Sequence, residues 1–270
     1  MGVVDGSTPV DLCDAASAGD AGSRRIEGGG TSEASWQNWP ALPAVRCLSL
    51  NEWLPHGVRL VVVAPHPDDE VLACGGLLAA HAARGGVGLV VAVTDGEASH
   101  AGDAAWPPNL LARQRRAESA QGLEALGLRR EGMVRFGVPD GRVRLHAPQL
   151  VSGLHLALQR TDVVVSTWRL DGHPDHDATG VAVAGVCARI GCRFMEAPVW
   201  MWHWARPGDP RVPWHRLMAF ELDAAALAAK TAALALHGSQ LAARGGAETE
   251  PVLGPEILAR AARRTEFFFV

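Results

Sequence analysis

The sequence predicts an α/β fold, a Rossmann-like three-layer sandwich with a mostly parallel central sheet. Continuous apolar, β-branched runs recur at Arg59–Ala64, Val87–Val93 and Asp162–Thr167, too uniform for strands with one face in water. Helical stretches lie between them, and a strand–helix–strand connection of this kind is right-handed and makes parallel neighbours. With 270 residues, 48% of them hydrophobic, the chain has enough apolar material for one substantial core.

Residues 1–45 are rich in Gly, Ser, Ala and Asp and include the run Gly28-Gly29-Gly30. Such a composition buries too little apolar surface to offset backbone ordering, so a flexible N-terminal arm is expected there. Trp36 and Trp39 are the residues suited to anchor its end, and residues 46–270 make the folded domain.

The first strand, Arg59–Ala64, breaks at Pro65, and a helical pattern runs to about Arg84, with Gly75 and Gly76 suited to close packing. Val87–Val93 is the second strand, followed by a polar loop through Pro108. Ala112–Leu126 is helical and stops at Gly127, Met133–Phe136 is a short strand, and Val138–Gly141 is a turn. A helix over Pro148–Gln159 leads into the strand Asp162–Thr167, after which a polar turn opens a helix over Asp177–Ile190. Arg193–Trp200 and Arg216–Leu222 are later strands, and Ala224–Leu236 is an Ala/Leu helix. Trp200, Trp202 and Trp204 alternate as residues on one face of an extended segment do, which suits core packing or stacking on a ligand ring.

Composition excludes several classes of function. A net charge of -4 argues against a nucleic-acid surface. Five cysteines, an odd number with no CxxC pair and no secretory leader, are expected to be reduced thiols in a cytoplasmic protein. No apolar run is long enough for a membrane span. Homo-oligomerisation is left open.

Two short segments carry chemistry. Ala64-Pro65-His66-Pro67-Asp68-Asp69-Glu70 stands where the first strand ends, and Gly172-His173-Pro174-Asp175-His176-Asp177 follows the strand Asp162–Thr167. Both fall at the carboxyl edge of the predicted sheet, where open α/β folds bind ligands. Each sets metal-capable side chains three residues apart around a proline. Mixed imidazole and carboxylate donors suit zinc, and three protein ligands leave a position for water. Either turn alone is also what a polar helix cap looks like. Two at one sheet edge are not.

These segments resemble the LmbE/PIG-L family of zinc-dependent N-acetylglucosamine deacetylases. Further matches are Thr94-Asp95-Gly96-Glu97, Arg115-Arg116-Ala117-Glu118 with Leu126-Gly127, and Pro139-Asp140-Gly141. The likeness covers about residues 58–205 and, more weakly, Lys230–Gln240. It implies a Zn2+ ion held by His66, Asp69 and His176, with Asp68 as general base and His173 supporting the oxyanion, oriented by Asp175. It also implies that Arg115 and Asp140 contact the sugar. Glu97 and Ser99 lie in the loop after the second strand, which is expected to rim the site. The implied substrate is a small N-acetylated sugar or glycoconjugate, cleaved to acetate and a free amine. An amidase acting on a larger N-acyl sugar or thiol conjugate is the nearest alternative, and a non-catalytic sugar- or nucleotide-binding module the more distant one. Retention of Asp68 beside the ligand set favours an enzyme, because binding alone needs no base. One departure is plain: some members use a tyrosine just before the second motif, whereas this chain has no tyrosine and carries Asp171 two residues before His173.

Overall fold

Six residues, Arg59–Ala64 (β1), form the strand around which the rest is placed; five of the six are buried, as a strand covered on both faces requires. The computed structural model describes residues 24–243 and 250–270. Two short helices, Glu33–Gln37 (α1) and Leu50–Trp53 (α2), precede β1, and Asp69–Ala83 (α3) leads from it to Val87–Ala92 (β2). Pro108–Ala125 (α4), Met133–Arg135 (β3), Ala147–Ala157 (α5) and Val163–Thr167 (β4) follow, then Pro174–Ile190 (α6) and Arg193–Ala197 (β5). The chain continues through Met201–Trp204 (α7), Leu217–Glu221 (β6), Ala224–Ala235 (α8), Gly238–Leu241 (α9), Pro255–Ala261 (α10) and Thr265–Phe269 (β7).

The seven strands lie in the order β3-β2-β1-β4-β5-β7-β6. The first five are parallel, with Val62 opposite Val90 on one side and Val165 on the other. β7 is antiparallel to both β5 and β6. Alternate residues of β1 feed two cores: Leu60 and Val62 pack with Val71, Leu77, Leu123 and Ala226 of α3, α4 and α8, while Val61 and Val63 pack with Leu150, Leu154, Val183 and Val186 of α5 and α6. This is the three-layer α/β sandwich the strand pattern predicts. The sheet order reverses between β1 and β4, so the loops leaving these two neighbouring strands open a crevice at the carboxyl edge. No helix among the described residues is long and apolar enough to cross a membrane.

α3 is two helical pieces joined at Cys74, whose backbone (φ -153°, ψ 29°) is not helical. The second piece starts afresh, and Glu266 of β7 accepts the backbone N–H groups of Gly76 and Leu77 at 2.8 and 2.9 Å, satisfying two donors that a helix start leaves free. Lys230 of α8 meets the same carboxylate at 2.7 Å. A Cβ on Gly76 would overlap the Leu222 side chain, so close packing does require glycine there.

Of the segment expected to form a flexible arm, residues 1–23 lie outside the described residues, and residues 24–45 are mostly exposed but touch the domain through Glu33, Trp36 and Leu42, which are buried. Ser32 caps α1, and Trp36 is fully buried, donates its indole N–H to Trp202 O at 2.9 Å, and meets the Trp202 ring edge-on at 5.0 Å. Glu33 pairs with Arg263 at 2.5 Å, and Thr31 bonds to His203 O and Ala205 O. The composition is that of a loose chain, yet a few aromatic and ionic anchors outweigh it.

Candidate metal centre

Both motifs take their shape from the way a strand hands over to a helix. After β1, the backbone N–H of His66 donates to Asp69 Oδ2 at 2.9 Å, and this tight turn brings the Asp69 carboxylate 3.2 Å from His66 Nδ1. Asp68, at the turn, has φ 136° and is the sole non-glycine with positive φ among the described residues. Such backbone strain persists where the surroundings over-determine it, typically at functional sites. After β4, His173 caps α6, its Nδ1 accepting the Asp175 N–H at 3.3 Å, and His176 sits fully buried in the first helical turn. Gly172 (φ 98°) precedes them; a Cβ there would lie 2.7 Å from Arg24 O and 2.8 Å from Trp204 Nε1.

Hydrogen bonding assigns the tautomers. His176 Nδ1 lies 2.8 Å from Asp171 Oδ2, the nearer of its two carboxylate neighbours, so in the neutral ring the proton sits on Nδ1 and Nε2 carries the lone pair. That Nε2 is buried without a hydrogen bond, 3.2 Å from Asp69 Oδ2. His66 Nε2 faces Asp140 Oδ1 at 3.2 Å and Asp175 Oδ2 at 3.4 Å, which puts its proton there and turns the Nδ1 lone pair toward Asp69. Two lone pairs and a carboxylate therefore meet, an arrangement that needs a cation or extra protons.

The electrostatics agree. In the metal-free chain burial lowers the His176 pKa, but Asp69 and Asp171 outweigh it and leave it at about 9. Burial likewise pulls against His66, and the carboxylates of Asp140, Asp175 and Asp69 drive it well above the ordinary value. The site attracts positive charge, and its N,N,O donor set fits zinc.

His173 is different. One ring nitrogen from each of His66, His173 and His176 lies within 4.8 Å of the other two, a set of three imidazoles without Asp69, but with Nδ1 accepting from Asp175 N the His173 proton belongs on Nε2. Burial, then the two neighbouring imidazoles, lower its pKa to about 3, so it is a neutral N–H donor. Asp68 makes no hydrogen bond to the His66 or His176 ring and takes Arg115 Nη2–H at 3.2 Å. Burial raises its pKa most; Arg115 opposes that and Asp69 adds to it, leaving about 7.

Other expected site residues are redistributed. Arg115 is buried and lines the cleft, and its guanidinium donates to Gly96 O, Pro67 O and Asp68, so it holds the first motif as well as bordering the site. Asp175 does not touch His173 with its carboxylate: the first turn of α6 carries it to the N–H groups of Gly141 (2.7 Å) and Val143 (3.1 Å) and to His66. Asp140 and Ser99 line the cleft, and Glu97 accepts Asp140 N–H at 2.9 Å, holding that turn in place. The cleft has a volume of about 360 Å³. Leu72, Trp200, Gln240, Pro251, Val252 and Leu253 also line it.

Sequence reasoning missed Asp171 as a bonding partner. Its buried carboxylate also accepts the N–H groups of Val199, Trp200 and Met201 at 3.0, 2.9 and 2.8 Å, so one side chain holds both His176 and the start of α7. The expected tryptophan stripe is thus a short helix. Trp202 goes into the core, while Trp200 turns to the cleft, with its ring 6.5 Å from that of His173 and inclined by 21°.

Residues 61–187 match a family model described as PIG-L: GlcNAc-PI de-N-acetylase. No curated protein matches the chain. Among solved structures, a conserved protein from Thermus thermophilus is 25% identical with a TM-score of 0.56, covering 78% of this chain and 93% of that one. The N,N'-diacetylchitobiose deacetylase of Pyrococcus horikoshii (17% identity, TM-score 0.52) covers 84% of this chain and 80% of that one. A deacetylase of the teicoplanin biosynthesis pathway (18% identity, TM-score 0.59) covers 78% and 97%. The latter two are likenesses of fold. Residues 61–187, which carry both motifs, are a PIG-L (LmbE-like) domain, and the chain is a deacetylase-type hydrolase.

Proposed function

We propose that this protein is a zinc-dependent hydrolase that removes the N-acetyl group of an N-acetylated amino sugar. The observation that carries the reading is the meeting of His66 Nδ1, Asp69 Oδ2 and the unpaired His176 Nε2 in a cleft beside Asp68, a carboxylate left free of them. His66, Asp69 and His176 would hold the ion, which would lower the pKa of water and polarise the amide carbonyl. Asp68 takes the proton of the attacking water and delivers it to the departing amine. Arg115 keeps the Asp68 carboxylate in place during both transfers. The Nε2–H of His173 faces the negative charge that develops on the carbonyl oxygen. Asp140 and Ser99 offer acceptors and a hydroxyl for sugar hydroxyl groups.

The proteins of similar fold named for diacetylchitobiose and for teicoplanin biosynthesis support an acetylated sugar or glycoconjugate as substrate. The apolar lining supplied by Leu72, Trp200, Val252 and Leu253 favours a substrate with more than a free monosaccharide. Free thiols at Cys47, Cys74, Cys187 and Cys192 support the cytoplasmic setting. The test is an acetate-release screen of zinc-loaded protein over N-acetylglucosaminides with different aglycones. Release from at least one, abolished by a chelator and restored by zinc, is expected. Failure across the panel with stoichiometric zinc bound would overturn the reading.

The ligand assignment carries a prediction for Asp171. Asp171→Asn can present an N–H to His176 Nδ1 and push the proton onto Nε2, the nitrogen that would ligate. Metal affinity is expected to fall about 10- to 100-fold, measured by competition with a chromophoric chelator. An unchanged affinity in a folded variant would separate Asp171 from the metal.

A further inference from the structure

Glu70 closes the first motif, is buried, and takes no part in the proposed reaction. Both of its carboxylate oxygens are engaged. Oε2 accepts the backbone N–H of Asp68 at 3.1 Å, and Oε1 accepts the hydroxyl of Ser119 at 2.9 Å. Ser119 stands one turn beyond Arg115 on the same face of α4, and Arg115 Nη2 donates to Pro67 O at 2.8 Å. The peptide joining Pro67 to Asp68 is therefore held at both ends, its carbonyl by Arg115 and its N–H by Glu70. The next peptide is held too, since Asp68 O accepts the N–H groups of Val71 and Leu72, both at 2.9 Å.

These two pinned peptides keep Asp68 at φ 136° and ψ -26°. Rotation about its N–Cα bond to negative φ would reach the right-handed helical region, where that ψ already lies, and relieve the strain. Such a rotation either swings the carboxylate or turns over the peptide that Arg115 holds. Both disturb the base, because one nitrogen, Arg115 Nη2, serves Pro67 O and Asp68 Oδ2 together. We infer that Glu70 is a positioning residue for Asp68: by accepting its N–H, it holds the backbone conformation that presents the Asp68 carboxylate beside the ligand set. The inference rests on the deacylase reading, in which Asp68 moves the proton.

Two measurements on the zinc-loaded full chain test it. The first reads the backbone and needs no substrate. Glycine is at ease at positive φ and alanine is not, whereas in a helical turn alanine is preferred. Asp68→Gly and Asp68→Ala both lack the carboxylate, so that loss cancels between them. With Glu70 in place, Asp68→Gly is expected to melt about 2–4 °C above Asp68→Ala, and adding Glu70→Ala should close or invert the gap. An equal gap in both backgrounds would overturn the inference. The second reads acetate release. Glu70→Ala is expected to keep zinc and KM while losing about 10- to 100-fold in kcat, as a misplaced reacting group does. In Glu70→Gln, Oε1 can still accept the Asp68 N–H while the NH2 donates to Ser119, and kcat should return to within about threefold of wild type. Glu70→Gln as slow as Glu70→Ala, or zinc lost along with activity, would overturn the inference while leaving the deacylase reading intact. If Glu70→Ala does not fold, Ser119→Ala, which frees the Glu70 carboxylate to turn, replaces it in both measurements: a narrower melting gap and a smaller loss confined to kcat support the inference, and no change in either overturns it. Wild type inert on every substrate, with the melting gap as expected, would bring down the reading but not the hold of Glu70 on Asp68.

Discussion

Asp68→Asn is expected to lower kcat by about a hundred- to ten-thousandfold while the protein keeps its full complement of metal. Asparagine matches aspartate in size, is among the residues that best tolerate positive φ, and still offers Arg115 an oxygen. What it loses is the ability to take a proton. The environment prepares Asp68 for proton transfer, because burial holds its pKa up at about 7 despite the guanidinium of Arg115. Zinc content and acetate-release kinetics, measured on the same samples, separate the outcomes. If zinc disappears with activity, Asp68 is a ligand and the two adjacent carboxylates have been assigned the wrong way round.

Asp69→Ala and His176→Ala are expected to lose metal and turnover together, activity falling to background. The clearest readout is thermal. An ion that binds only the folded chain stabilises it by about 4 kcal/mol at a thousandfold excess over its Kd, so zinc should raise the wild-type Tm and leave that of Asp69→Ala unmoved. His173→Ala belongs to the other group: it should hold zinc, respond thermally like wild type, and lose about a hundred- to a thousandfold in kcat as an oxyanion donor does. Loss of zinc from His173→Ala would favour the set of three imidazoles, whose ring nitrogens do approach one another within 4.8 Å.

How much of this was legible in the sequence varies with the range of the interaction. β1 and β4 were, because strands buried on both faces are written as unbroken runs such as Leu60–Ala64 and Val163–Val165. The convergence of His66, Asp69 and His176 was also legible, since each motif follows one of two parallel strands. Asp175 was misplaced: its closeness in sequence to His173 suggested a pair, but the helical turn aims it at Gly141 and Val143. The tryptophans misled for the opposite reason. Their period of two imitates a strand, and the chain instead coils into α7 because Asp171, some thirty residues earlier, accepts three consecutive N–H groups. Glu118 and Gln240 are linked through Ser239, and no local pattern announces such a chain. β7 is missing from the predicted strands altogether, five residues whose partners are settled only by the finished sheet.

β7 also dictates an order of assembly. It is the last of the seven strands in sequence, yet it lies inside the sheet, between β5 and β6. During synthesis the five parallel strands can pair while the rest of the chain is still emerging, but until residues 265–269 arrive β6 has only the short bridge from residues 46–48 to Ala219 among the described residues. Lys230 waits as well, a cation destined for burial whose counter-charge, Glu266, is carried on that final strand. Until Glu266 arrives, the second piece of α3 lacks the carboxylate at its start. α3 is the helix whose first residue is Asp69. The candidate metal site, encoded between residues 66 and 176, thus stands on a helix whose second piece is capped by a segment translated some ninety residues later, and a nascent chain stopped short of it would carry His66, Asp69 and His176 without that cap.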